Sequence, residues 1–139
     1  ITFMYEKPMK QSKKVQIASE SAVKVTTHRI TDDLASVEID DKMMTEEHMK
    51  MLEKAVHELL AENYHSIILD LTKLKRINST GLGKFINLYK AAADKDGVMK
   101  IGGVSDFVRN VLTSTKLNEI FEIHNTLDDA IKSFQTSGA

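Results

Sequence analysis

The sequence predicts an α/β fold: a mixed sheet of about five strands in the order ββαβαβαβα, mostly parallel after an N-terminal hairpin and packed with about four helices. Three observations predict it. Runs with strand character alternate with segments that repeat apolar residues at helical spacing. The run Ile67-Ile68-Leu69 is apolar on both faces, as a central parallel strand covered on both sides must be. The single proline, Pro8, precedes all of these elements and interrupts none. A chain of 139 residues is long enough for one domain with a real core. With 42% hydrophobic and 28% charged residues it is a folding chain, not a disordered one.

Residues 1–21 mix Lys, Ser, Gln and Glu with scattered apolar residues and are expected to form an N-terminal extension, with an added edge strand at Val15-Gln16-Ile17. The folded domain is expected over 22–136. Val23 to Ile30 alternates apolar and polar residues and reads as a strand. Thr31-Asp32-Asp33 is a turn, and Leu34 to Ile39 the second strand of a hairpin. Asp40 to Met44 forms a loop. Thr45 suits an N-cap and Glu46 and Glu47 suit a first turn, ahead of Met49, Leu52, Val56, Leu59 and Leu60 at helical spacing. Ser66 to Leu71 is the central strand. A second helix over Thr80–Asp94 carries Leu82, Phe85, Ile86, Tyr89 and Ala93, and Gly97 is placed to end it. Val98 to Val104 is a strand. Ser105 caps a helix bearing Val108, Val111 and Leu112. Phe121 to His124 is a short final strand. Thr126-Leu127-Asp128-Asp129 resembles a capping box opening a helix with Leu127, Ala130, Ile131 and Phe134.

Composition removes several functions. There is no cysteine, hence no disulfide, thiolate metal site or cysteine nucleophile. A net charge of −1 leaves no basic field for nucleic acid, and the one basic cluster, Lys7, Lys10, Lys13 and Lys14, reads as a solvated tail. No apolar run approaches the roughly 18 residues of a membrane span. Ile1–Lys14 lacks the apolar centre of a signal peptide, so a cytoplasmic location is expected.

The chemistry concentrates in Asp70 to Gly83, where a strand passes through a polar turn into a helix start. Amides at a helix start lack partners within the helix, and the dipole favours negative charge there. Gly81-Leu82-Gly83-Lys84 does not complete a phosphate-binding P-loop, because the required glycine is Asn78 and the required hydroxyl is Phe85. A GxGxxG reading fails at Ile86. No GxSxG surrounds Ser79. His28, His48, His57, His65 and His124 show no metal-ligand spacing, with His48 and His57 on the solvated face of a helix and His65 in a turn. No metal and no cofactor is expected. Met43 and Met44 read as core residues at a helix entry or as an adaptable contact. Their loop belongs to the sheet edge of Ser79, where sites gather in parallel sheets. Ser79 itself reads either as a plain N-cap or as a phosphoacceptor whose charge the helix tolerates.

Asn78-Ser79-Thr80-Gly81-Leu82-Gly83 resembles the D-S-[ST]-G-[LI]-G signature of STAS domains, in particular the bacterial anti-sigma factor antagonists. Glu38-Ile39-Asp40 resembles the family's E-L-D segment, and Ile68-Leu69-Asp70-Leu71 its central strand. Ser105 to Arg109 and Leu117 to Phe121 resemble its third helix and the strand that follows. The likeness covers residues 22–134. It implies a switch, not an enzyme. Such an antagonist binds an anti-sigma factor that is also a serine kinase, is released when that kinase phosphorylates the motif serine, here Ser79, and is restored by a serine phosphatase. The partner surface it implies comprises Asp40, Asp41, Met43, Met44, Asn78, Ser79, Thr80, Gly81, Leu82 and Gly83. The family's usual Asp before the acceptor is Asn78 here. Two other readings stay open: a STAS accessory subunit of a signalling scaffold or membrane transporter, and a small-ligand or nucleotide-binding domain that uses the Ser79 helix start as an anion cradle.

Overall fold

A computed structural model of the chain describes residues 24–40 and 46–137. The expected extension over residues 1–21, the strand at Val15-Gln16-Ile17, and Asp41, Met43, Met44 and the Thr45 cap lie outside the described residues. The elements are β1 (Lys24–Arg29), β2 (Leu34–Asp40), α1 (Glu46–Ala61), β3 (Ser66–Leu71), α2 (Ser79–Asp94), β4 (Val98–Val104), α3 (Asp106–Ser114), a 3₁₀ turn (Leu117–Glu119), β5 (Ile123–His124) and α4 (Leu127–Ser137). The five-stranded sheet has the order β1-β2-β3-β4-β5. Strands β1 and β2 pair antiparallel, with Lys24 opposite Asp40 and Arg29 opposite Ala35. All later pairs are parallel. The predicted class and element order are therefore those observed.

Strand period sorts the side chains between two layers. Ile67, Leu69 and Leu71 of β3 join Val37, Ile39, Met99 and Ile101 in the main core, beneath the apolar faces of α1, α2 and α3. Ile68 points the other way and meets Leu34, Ala130, Leu127, Ile131 and Phe134, so α4 covers the opposite face. Every residue of the predicted α1 stripe, Met49, Leu52, Val56, Leu59 and Leu60, is buried. On α2 the buried line is Gly81, Phe85, Leu88 and Ala92. Leu82, Ile86 and Tyr89 flank it half-buried, and Ala93 is exposed, so the expected stripe is rotated by about one position. Tyr89 meets Phe121 edge-on, with ring centroids 5.1 Å apart.

The ends of the elements carry their own explanations. Asp33 ties the hairpin turn to β3: its carboxylate accepts from the His65 amide at 3.0 Å, and its carbonyl from the Ser66 amide at 2.9 Å. His65 is thus the turn residue expected. Gly97 does not supply the left-handed residue after α2; Asp96 does, at φ 63°. Glycine is needed at 97 because a Cβ there would sit 2.7 Å from the His65 carbonyl oxygen. Ser105 caps α3 as expected, accepting from the Val108 amide at 3.2 Å. Thr126 Oγ1 accepts from the Asp129 amide at 3.0 Å, which is half of the expected capping box. The last strand is shorter than expected, because Phe121 is buried in the core and only Ile123 and His124 pair with β4.

Candidate functional site

Parallel strands bring their carboxyl ends to one edge of the sheet. That edge receives the end of β2 at Asp40, the 72–78 loop after β3, the start of α2 and the start of α3. Only the backbone of Asp40 is placed there. Asn78, Ser79, Thr80, Leu82 and Gly83 of the predicted surface come together at the start of α2.

The loop is built from its first residue. Asp70, 7% exposed at the end of β3, accepts from the Thr72 amide at 3.0 Å and from its hydroxyl at 2.6 Å. The turn packs against Gly103, whose φ of +83° lies in the left-handed region and whose added Cβ would fall 2.1 Å from Thr72 Oγ1. The β3–β4 register shifts beside it, between Asp70 and Leu71. Lys73 then pairs with Glu38 of β2 at 3.0 Å. The Lys73 hydrogen bond, working against partial burial and aided by His28, holds the Glu38 carboxyl below its ordinary value. Leu74 is fully buried and its amide donates to the Leu71 carbonyl at 3.1 Å. The loop is thus pinned at Thr72, Lys73 and Leu74, ahead of the exposed Lys75 and Arg76.

At the start of α2 one expectation is corrected. Ser79 is not the N-cap. Asn78 is: it has extended backbone, and its Oδ1 accepts from the Gly81 amide at 2.8 Å. The first helical bond runs from the Leu82 amide to the Asn78 carbonyl at 3.0 Å. Ser79 and Thr80 are the first two helical residues, both exposed, and their amides have no partner within the helix. Asn and Ser cap about equally well, so sequence alone does not place the cap between them. Gly81, counted in the expected partner surface, is buried on the core side of α2. Gly83 of the same surface is exposed, and nothing lies within 4 Å of the Cβ it lacks. Asn78→Ala should cost about 1 kcal/mol of stability by removing the cap, whereas Asn78→Asp should cost almost nothing. Urea unfolding of the two variants measures both.

The site also contains residues that sequence reading missed. An open groove of about 440 Å³ is lined by Lys75, Arg76, Ile77 and Phe107. Phe107, in the first turn of α3, is 55% exposed, more than the two other exposed large apolar residues among those described, Val98 and Ile120. The sequence signal was an aromatic residue off the Val108–Leu112 stripe, two residues after the capping Ser105. Among the described residues no cluster of His, Asp or Glu has metal-site geometry. Nor is any helix of the described residues long and apolar enough to cross a membrane.

Comparison with known proteins agrees with this architecture. A candidate anti-sigma factor antagonist of Thermotoga neapolitana is 27% identical over 109 residues, which cover 78% of this chain and 96% of that protein. An anti-sigma factor antagonist from Mycobacterium paratuberculosis superposes with a TM-score of 0.69 at 20% identity, covering 80% of this chain and 92% of its own. The Bacillus antagonist SpoIIAA is similar in its unphosphorylated form, with a TM-score of 0.70 at 14% identity over 81% of this chain and 97% of its own. Its phosphorylated form gives 0.64 at 13%, over 80% and 99%. The STAS domain model matches residues 25–130, from the first described strand to the buried Ala130 of α4 that closes the second layer. With that match over most of the chain, from the first strand into the last helix, the chain belongs to the STAS domain family.

Proposed function

We propose that the chain is a phosphorylation-controlled binding switch, an anti-sigma factor antagonist. It docks through the start of α2 on an anti-sigma factor that is also a serine kinase. Phosphorylation of Ser79 ends the complex, and a serine phosphatase restores it. The chain is the substrate of these enzymes and not itself an enzyme, and it works in the cytoplasm. The Thermotoga and Mycobacterium relatives, both named as antagonists, support the reading, as does a related fold known in phosphorylated and unphosphorylated forms.

One observation carries it. Ser79 is exposed at the first position of a helix whose cap is a different residue, Asn78. A modified Ser79 therefore costs the helix no cap. A phosphate adds about −1.5 to −2 charges, which the helix start tolerates. The same charge on a docked surface meets repulsion and a desolvation cost. The fold survives and the complex does not, as a switch requires.

The test is to incubate the chain with ATP and each anti-sigma serine kinase of its own genome, then to measure intact mass. One added phosphate is expected, absent in Ser79→Ala, with an unchanged thermal midpoint. If none of these kinases binds or modifies the chain, the reading is wrong.

A further inference from the structure

The loop ahead of Ser79 holds two cations that the fold does not use. Its neighbours are engaged: Lys73 pairs with Glu38 at 3.0 Å, and Lys84 of α2 with Glu53 at 3.2 Å. Lys75 and Arg76 are exposed and have no ion pair among the described residues. Both line the groove that continues onto half-buried Ile77 and exposed Phe107. Buried Leu74 on one side and the Asn78 cap on the other hold this stretch in place. With the backbone of the stretch held, binding has only the side-chain freedom of the two cations left to restrict. Interfaces favour such Arg and aromatic anchors.

We infer that the groove of Lys75, Arg76, Ile77 and Phe107 receives an acidic segment of the anti-sigma factor, its carboxylates on the two cations and an apolar side chain against Phe107. The inference rests on the proposed function and adds the chemistry of the partner. Charge complementarity selects the occupant. Two cations on a chain of net charge −1 are too few for a nucleic-acid backbone, and the groove holds a single ring on which a base could stack. An open groove of about 440 Å³ has room for one or two side chains of a protein segment. The placement also couples the groove to the switch. Ser79 follows Arg76 by three residues. A phosphate on it draws on the same cations that the partner's carboxylates need, and repels those carboxylates as well.

The experiment titrates the full chain against the anti-sigma factors of its own genome, at about 50 mM and about 0.5 M salt. Lys75→Glu/Arg76→Glu and Phe107→Ala should each weaken binding by about tenfold or more at low salt, with unchanged thermal midpoints. High salt should weaken the wild type several-fold and the milder Lys75→Gln/Arg76→Gln variant far less. Wild-type binding that these variants leave intact overturns the groove assignment alone. Failure of the wild type to bind any anti-sigma factor overturns the proposed function and the assignment with it. A wild-type dimer that the charge reversal converts to monomers gives the groove to a second copy and also overturns it.

Discussion

Gly103→Ala should lower the stability of the chain by about 2–4 kcal/mol and its thermal midpoint by on the order of 10 °C. Two costs add. The backbone at 103 has a φ of +83°, which side chains other than glycine rarely adopt. The new methyl would also fall 2.1 Å from Thr72 Oγ1 and 3.2 Å from Asp70 Oδ1. Thr72 cannot move aside freely, because its hydroxyl donates to Asp70 at 2.6 Å and its amide to the same oxygen at 3.0 Å. Displacing it leaves an almost fully buried carboxylate with fewer donors, which is expensive in low dielectric. The two sites should therefore be coupled. Thr72→Ala alone should cost about 1 kcal/mol, and Gly103→Ala should cost clearly less in that background than in the wild type. Chemical unfolding of the four proteins closes the cycle. Simple additivity would show that Thr72 is not what the glycine makes room for.

The same residues show what a reader of the sequence can and cannot see. Strands β3 and β4 were legible to the residue, Ser66–Leu71 and Val98–Val104, because both faces of each are covered and apolar residues predominate in each run. Strand β5 was not. Its register depends on where the 3₁₀ turn at Leu117–Glu119 sets Phe121 into the core, and that turn follows Lys116 in a left-handed conformation which no local pattern announces. The double glycine at 102 and 103 in a strand interior is where close approach occurs. A Cβ at Gly102 would lie 2.8 Å from that of Ala130, so α4 rides directly over this strand. Within the site, the place of Ser79 at a helix start was readable from residue type alone, but the cap was displaced by one residue. Of the groove, only Phe107 left a signal, as an aromatic residue off the apolar stripe of α3. The groove exists because α3 turns Phe107 away from Val108 and Leu112, while the pinned loop brings Lys75 and Arg76 alongside it, and both are facts of tertiary arrangement.

Ser79→Asp should reduce affinity for the anti-sigma factor by on the order of 100-fold, with no loss of fold stability, whereas Ser79→Ala should stay within a few-fold of wild type. The charge at residue 79 acts in two directions. Toward the helix, a carboxylate at the first position sees the positive end of the dipole, a gain of about 0.3–1 kcal/mol, and Asn78 keeps the cap through its bond to the Gly81 amide. Toward the partner, the same carboxylate must be desolvated under the docked surface and competes with the partner's own carboxylates for Lys75 and Arg76, a cost of about 3 kcal/mol. Asn78 sharpens the contrast. Where the family signature carries a negative charge beside the acceptor, this chain keeps the hydrogen bond and drops the charge. The unmodified surface is thus less acidic, and a single carboxylate at 79 is a larger fractional change. Adding Asn78→Asp to Ser79→Ala supplies the comparison: the cap is retained and one negative charge is placed next to the acceptor position, not on it. If binding falls as far in that double variant as in Ser79→Asp, net charge at the helix start controls the complex. If it stays near wild type, the position of the charge at residue 79 is what the partner reads.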